Sequence, residues 1–258
     1  MLRLDINFEK LVDIIYGQYA LAEGSYGKVF KLTEEELLKL DRTMFNNGSA
    51  LNYQDVKEFL QMKNTNDSLF NTLNFSKQQE ELHSRQKHIK KTSLPLGLAY
   101  YHDLALGIIL KYHKKHKLLC DIDLSLNEAK NAYWKMVAAQ EELMDNYIYA
   151  TNSTNFSNAM YSKEGDLQLI DFDGPYLKLR DNRDLDLEKD CYKELYKAYI
   201  RMYRDYYERP EGIIRRQIKP VVGINKENFK EKVLILDEEL VKIKTLKEVK
   251  KHGRKERF

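Results

Sequence analysis

Two aspartates follow a short apolar stretch in the segment DLQLIDFDGP, residues 166–175. Leu167, Leu169, Ile170 and Phe172 predict a buried strand. Asp171 and Asp173 then lie on either side of Phe172 at the end of that strand. Because aspartate is almost never fully buried without a partner, the segment predicts that these carboxylates meet one.

Two glycines mark a predicted hairpin turn in AEGSYGKV, residues 22–29. Gly24 and Gly27 would let backbone N–H groups approach a phosphate closely, and they leave the turn free in φ. The alternative is that the hairpin itself requires glycines at these positions. The pattern alone leaves both interpretations open.

A lysine follows on the next predicted strand, in LLKLD, residues 37–41. Successive strand residues alternate between the two faces, so Leu38 and Leu40 face away from Lys39. Lys39 either reaches a site on its own face or extends its chain to the surface.

Together these segments resemble the start of a protein kinase, in which a Gly-rich loop, GxGxxGxV, precedes a strand lysine. Ala22 stands in place of the first glycine, and the connection to Lys39 is shorter than usual. LIDFDG then resembles the Asp-Phe-Gly motif with aspartate in place of its glycine, as in small-molecule and atypical bacterial kinases. Asn158, thirteen residues before Asp171, matches the asparagine of the family.

The resemblance implies an α+β, two-lobed protein-kinase-like fold with an antiparallel sheet in the N-lobe and a reduced, mainly helical C-lobe. The implied divisions are an N-lobe over residues 1–112, a C-lobe over 113–208 and a C-terminal extension with a basic tail over 209–258. ATP and Mg²⁺ are the implied cofactors. The implied partners are the nucleotide and a protein or small-molecule acceptor that the sequence does not identify.

The resemblance also implies roles for single residues. Lys39 would hold the α- and β-phosphates, and Asn158 and Asp171 would bind the metal. Asp173 would serve as a further metal ligand or as a base. The nucleotide-binding loop would comprise Gly24, Ser25, Gly27 and Val29, and the adenine would meet the hinge residues Leu110, Lys111 and Tyr112.

A glutamate from the helix after the lysine should orient Lys39 in such a fold. Glu80 and Glu81 lie in QQEELHSRQKHI, and Glu58 in DVKEFLQ is the competitor. The distance along the chain to the hinge favours Glu81. The alternative for each glutamate is a solvated surface charge.

The loop that should carry the catalytic aspartate lacks one. The family places that aspartate five residues before the asparagine, which here is Ser153, and residues 149–158 contain no Asp, Glu or His. Serine does not accept a proton near pH 7 as a carboxylate does. Two functions remain open, an atypical ATP-dependent phosphotransferase and a nucleotide-binding pseudokinase that acts as an interaction or regulatory module. The polar composition predicts a solvent-facing loop that tolerates Ser153→Asp.

Periodicity predicts the elements that would position these residues. Predicted strands lie around residues 29–32, 37–40, 94–101, 105–113, 158–161 and 167–170. Predicted helices span residues 8–16, 54–62, 76–91, 125–146 and 187–208, and a charged helix from residue 230 leads into the basic tail.

The composition, 43% hydrophobic and 32% charged over 258 residues, is that of a soluble globular protein. The net charge of +3 is too small to favour nucleic acid as a partner.

Cys120 and Cys191 are isolated, which indicates a reducing compartment and a cytoplasmic location. No signal peptide or membrane-spanning run is predicted, so a membrane is not expected as a partner. Solvated faces are the favoured interpretation of the basic stretches at 111–117 and 247–257.

Overall fold

Strands dominate the N-terminal part of the chain and helices the C-terminal part, so the protein is an α+β chain. The computed structural model describes residues 1–24, 27–41, 45–46, 49–50, 72–102, 104–172, 177–206 and 223–255. The strands are β1 (Leu2–Asp5), β2 (Ala22–Gly24), β3 (Gly27–Lys31), β4 (Glu36–Asp41), β5 (Phe45–Asn46), β6 (Ser49–Ala50), β7 (Gly97–Tyr101), β8 (Leu104–Lys111), β9 (His116–Leu118), β10 (Ile148–Ala150), β11 (Ala159–Ser162), β12 (Leu167–Leu169) and β13 (Leu177–Leu179). The helices are α1 (Phe8–Tyr16), α2 (Thr72–Arg85), α3 (Leu126–Asp145), α4 (Leu185–Tyr206) and α5 (Phe229–Lys255).

Six strands form one sheet in the order β1-β7-β8-β4-β3-β2. Neighbouring strands are antiparallel except β1 and β7, which pair in parallel. The sheet is therefore mixed, and the prediction of a wholly antiparallel sheet is wrong at this edge. The predicted hairpin is confirmed, because β3 and β4 pair across a turn in which the amides of Leu32 and Thr33 donate to Glu36 O.

Helix α1 covers one face of the sheet. Asn7 caps the helix by accepting a hydrogen bond from the Lys10 amide at 2.8 Å. The apolar stripe of the helix packs on alternating residues of β3 and β4 and forms one core with them, made of Leu11, Ile14, Ile15, Phe30, Leu38 and Leu40 among others. The side chain of Lys39 points to the opposite face.

Helix α2 lies on the face that Lys39 occupies, where it contacts β7 and β8. Its buried Leu82 nevertheless belongs to the core of the helical part, as do Ile89 and Leu94 in the segment that leads to β7. Helix α2 therefore packs against both the sheet and the C-terminal half of the chain.

The helical part is built on α3, α4 and α5. Helix α3 starts with a capping box, in which Ser125 and Glu128 bond to each other's backbone amides. Tyr133 on this helix is fully buried and donates to Leu195 O at 2.9 Å. Residues 224–240, part of the predicted C-terminal extension, supply buried apolar side chains to the same core, namely Ile224, Phe229, Val233, Leu236 and Leu240.

Short strands connect the helices to the predicted metal-binding segment. β11 and β12 form the predicted hairpin, β9 adds to its β11 edge, and β10 pairs with β13. Thr92 bridges to Leu169 in parallel, which ties the segment after α2 to β12. β5 and β6 pair separately.

Most predicted elements lie where periodicity placed them. α1, α3 and α4 match their predicted ranges within about two residues, the uncertainty usual for helix ends. Helix α2 begins earlier, at Thr72, and α5 continues to Lys255, so the basic segment expected as a tail is helical. The predicted helix at 54–62 lies outside the described residues. Among the residues described, no helix is both long enough and apolar enough to span a membrane.

Candidate functional site

The central feature of the site is an ion pair between Lys39 and Asp171. Lys39 lies in the middle of β4, opposite Val29 on β3 and Ile108 on β8. Its Nζ is 2.5 Å from Asp171 Oδ1, and the two side chains are 10% and 23% exposed. Lys39 is therefore a partner of the Asp171 carboxylate, and the Mg²⁺ that the family resemblance implies for Asp171 stays a prediction. The sheet and the segment after β12 meet at this contact.

Asp171 has the backbone conformation of a constrained residue. Its φ is 75°, in the left-handed region that side chains other than glycine rarely adopt. Such conformations persist only where the surrounding structure fixes them, and they cluster at functional sites. The residue before it, Ile170, donates its amide to Asn158 O at 2.9 Å. The backbone therefore holds Asn158 beside the start of the Asp171 segment.

Asn158 and Asp171 supply the oxygen atoms that Mg²⁺ prefers. Asn158 is the last residue of a 3₁₀ turn, Phe156–Asn158, and its backbone amide donates to Asn155 O at 2.9 Å. Within the described ranges no three His, Cys, Asp or Glu side chains are grouped so that they could hold a metal. Mg²⁺ commonly takes further ligands from phosphate and water, so two protein ligands would be enough to hold it with a nucleotide. Asp173 lies outside the described residues.

The glycine-rich turn is described only at its two ends. Gly24 and Gly27 pair across the β2–β3 hairpin, and Ser25 lies outside the described residues. A Cβ atom on Gly27 would lie 2.1 Å from Leu40 O, so the close approach of β3 and β4 requires a glycine there. This packing requirement is sufficient to explain Gly27. Val29 lies on the Lys39 face of the sheet, directly opposite Lys39.

The predicted hinge lies at the end of β8. Leu110 packs with Leu98 and Ile108 on the Lys39 face of the sheet. Lys111 is paired in the ladder with Glu36 and is exposed. The Tyr112 amide donates to Glu35 O at 2.8 Å. That amide is therefore bonded to a backbone carbonyl of the turn before β4, and the expectation that residues 110–112 meet adenine stays a prediction.

Glu81 does not meet Lys39 in this structure. Its carboxylate is on the exposed side of α2, where it pairs with Arg85 one turn later. Arg85 in turn donates to three backbone carbonyls of the helical part, those of Asn146, Tyr147 and Arg180, at 3.1, 3.2 and 2.8 Å. Glu80 is exposed, and Glu58 lies outside the described residues. The predicted role of Glu81 is corrected accordingly, because its partner is a cation of its own helix.

The inward face of α2 carries glutamines instead. Gln79 is 1% exposed and donates from Nε2 to Phe172 O at 3.1 Å. Its neighbour Gln78 donates from Nε2 to Leu177 O at 3.2 Å. Sequence reasoning missed both residues. The one available signal concerned Gln79, which lies three residues before the apolar Leu82 and therefore on the same face of the helix.

Ser153 is buried, which overturns the prediction of a solvent-facing loop. The residue lies in a 3₁₀ turn and is 1% exposed. Its Oγ lies 2.5 Å from Gln140 Oε1 and 2.6 Å from Ala150 O. Gln140 is itself fully buried on α3. The position expected to hold a catalytic base is thus part of the core hydrogen bonding of the helical part.

Two histidines follow the predicted hinge in the sequence. His113 Nε2 is 2.8 Å from Ser93 Oγ, and His116 Nε2 is 2.9 Å from Asp166 Oδ2. The two rings meet edge to face with their centroids 5.1 Å apart. Burial, followed by the neighbouring His116, lowers the pKa of His113 to about 4. Both histidines have protein partners, so their arrangement favours a structural role.

Comparison with models of protein families found no match, and comparison with curated proteins found none. The functional argument therefore depends on the geometry of the residues themselves.

Proposed function

We propose that the chain binds ATP with Mg²⁺ and is an atypical phosphotransferase of the protein-kinase-like kind. The contact between Lys39 and Asp171 carries the proposal. Two charged residues 132 positions apart, each picked out by its own motif, lie 2.5 Å from each other. Counted from β2, the first strand of the glycine-rich hairpin, Lys39 lies on the third strand, β4. This is the position of the nucleotide-binding lysine in protein kinases.

The assigned roles follow from charge and position. Lys39 would hold the α- and β-phosphates, while the oxygens of Asn158 and Asp171 would hold the metal. Mg²⁺ supplies charge neutralisation for the phosphate oxygens. Phosphoryl transfer depends mainly on positioning and on charge stabilisation, so a chain with these groups retains most of what the reaction requires.

One observation favours the alternative, a pseudokinase. Ser153 occupies the position of the missing base, and its hydroxyl is bound within the core. The absence of a carboxylate there leaves general base catalysis, usually worth roughly 10²–10⁴-fold, without a loop residue. A chain of this kind would bind the nucleotide and act through protein contacts.

Thermal unfolding with nucleotide tests binding. At about one hundred times the Kd, a ligand of the native state adds about 2.7 kcal/mol, which raises Tm by roughly 5–10 °C in a chain of this size. Asp171→Ala should remove the part of the shift that depends on Mg²⁺. Asp181→Ala, at an exposed aspartate in the loop before α4, is the matched control and should keep the full shift. No shift in the wild type at millimolar Mg·ATP would overturn the proposal.

Turnover separates the two functions. The wild type is incubated with ATP labelled on the γ-phosphate, and label is sought on the protein, on added acceptors and as free phosphate. Label transfer that Lys39→Met abolishes supports the phosphotransferase. Binding without any transfer supports the pseudokinase.

A further inference from the structure

Asp171 lies between two residues whose positions are fixed by hydrogen bonds and by packing. Before it, the Ile170 amide donates to Asn158 O at 2.9 Å. After it, Phe172 is 2% exposed and belongs to the core of the helical part. The carbonyl of Phe172 also accepts a hydrogen bond from Gln79 Nε2 on α2, at 3.1 Å. Asp171 must therefore span two fixed points.

The backbone of Asp171 is strained between those points. Its φ of 75° lies in the left-handed region, where the Cβ atom of an L-residue crowds the following carbonyl oxygen. Such a conformation persists only where contacts outside the residue hold it. If those contacts were lost, the backbone would relax and the position of the carboxylate would change with it.

Gln79 acts on this segment through its donor. The side chain is 1% exposed, and its Oε1 is buried without a hydrogen-bond partner in the part of the chain that the structure describes. The hydrogen bond of Nε2 stabilises the fold, whereas a buried acceptor without a partner destabilises it. These two effects oppose each other, so general stabilisation is a weak reason for a glutamine at this position. The local effect of the bond to Phe172 O remains.

We infer that Gln79 is a positioning residue, whose hydrogen bond to Phe172 O holds Asp171 in the left-handed conformation. The carboxylate that would bind Mg²⁺ is thereby kept in place through the backbone, by a neutral side chain of α2. The part of the inference that concerns the metal rests on the proposed function. The part that concerns the backbone does not, and it is tested without a nucleotide.

Urea unfolding of two variants at position 171 tests the backbone part. Asp171→Gly and Asp171→Ala both remove the ion pair with Lys39, and they differ in the cost of a positive φ. With Gln79 in place, the glycine variant should have an unfolding equilibrium constant about threefold smaller, or less, because glycine adopts this conformation without strain. In a Gln79→Met background the difference should vanish or reverse, because the relaxed residue favours alanine. Methionine has a similar size and no donor, so the fold should tolerate it.

The Kd of Mg·ATP, measured by isothermal titration, tests the metal part. Loss of a group that orients a metal ligand typically costs about 10–100-fold in metal affinity, so Gln79→Met should weaken Mg·ATP binding by about tenfold or more.

Gln78→Met is the matched control for both measurements. Gln78 is the neighbouring glutamine, and its Nε2 donates at 3.2 Å to Leu177 O, farther along the chain from Asp171. The control should bind Mg·ATP within about twofold of the wild type and should keep the difference between the glycine and alanine variants.

Four results would overturn the inference. With Gln79 intact, Asp171→Ala could prove at least as stable as Asp171→Gly, a comparison that needs no change on α2. The difference between these variants could persist unchanged in Gln79→Met, that variant could bind Mg·ATP with wild-type affinity, or Gln78→Met could match its effects. In all four cases the proposed function stands if the wild type binds Mg·ATP. A wild type that does not bind it removes the proposed function and the metal part, while the comparison at position 171 still decides the backbone part.

Discussion

Placing an aspartate at position 153 is the obvious attempt to restore a base, and we expect it to destabilise the protein instead. Ser153 Oγ lies between two acceptors, Gln140 Oε1 at 2.5 Å and Ala150 O at 2.6 Å. A hydroxyl donates to such groups, whereas an ionised carboxylate only accepts. Ser153→Asp would therefore put a charge without a donor into a buried position.

The magnitude follows from the pKa that such a carboxyl must adopt. Burial raises the pKa of a carboxyl by about 3 units or more when no donor compensates. From an unfolded value of about 3.9, a rise of 3 units costs about 1.5 kcal/mol at pH 5 and about 4 kcal/mol at pH 8. The folded state then binds more protons than the unfolded state, so stability falls as pH rises from about 4 to about 7.

Urea unfolding followed by the fluorescence of Trp134 provides the assay. Trp134 is the only tryptophan and contacts the core rings of Tyr133 and Phe229, so its emission reports on the helical core. Ser157→Asp places the same group at an exposed position of the same loop and should change stability by less than about 0.5 kcal/mol. Equal stability of Ser153→Asp and wild type at pH 8 would refute the buried placement of this residue.

Three further predictions concern other parts of the chain. Asp237→Ala should destabilise the protein by about 3 kcal/mol, since it removes the partner of Lys130 and leaves that charge in a partly buried site. Burial raises the pKa of Asp237, but the hydrogen bonds to its carboxylate outweigh burial and lower the pKa overall. The wild type should therefore lose this stabilisation as pH falls below about 4, which urea unfolding across pH will measure. Gly27→Ala should cost about 1–3 kcal/mol in the same assay because its Cβ would meet Leu40 O. His113, with its pKa lowered by burial to about 4, should show no titration between pH 5 and 8 in a heteronuclear NMR series.

Local sequence patterns predicted α1, α3, α4 and the strands that carry or precede Lys39 and Asp171, but they did not predict β1, β9, β10 or β13. Lys39 and Asp171 could be recognised because each is a charge in or next to a run of apolar strand residues. Their approach to each other could not be derived locally, since 132 positions separate them. The family resemblance assigned both residues to one nucleotide site, and in the structure their side chains are in contact.

Polar residues with internal partners escaped prediction for one physical reason. The local sequence does not distinguish a serine that is hydrogen-bonded within a core from a serine exposed to water, because both have polar neighbours in the chain. Ser153 and Gln79 are each satisfied, wholly or in part, by atoms from distant segments. The same ambiguity misplaced Glu81, whose partner Arg85 is fixed by the helix spacing of four residues.

The parallel edge of the sheet has a consequence for the order of folding. Leu2 pairs with Gly97, whereas in the β3–β4 hairpin Gly27 pairs with Asp41. Closing the longer loop costs about 1.7 kcal/mol more chain entropy than closing the hairpin. Strand β1 should therefore join last, after β7 and β8 have formed their own hairpin. Until it does, the outer edge of β7 offers unpaired amides and carbonyls to any other extended chain, and crowded nascent molecules are most exposed to mispairing at that edge.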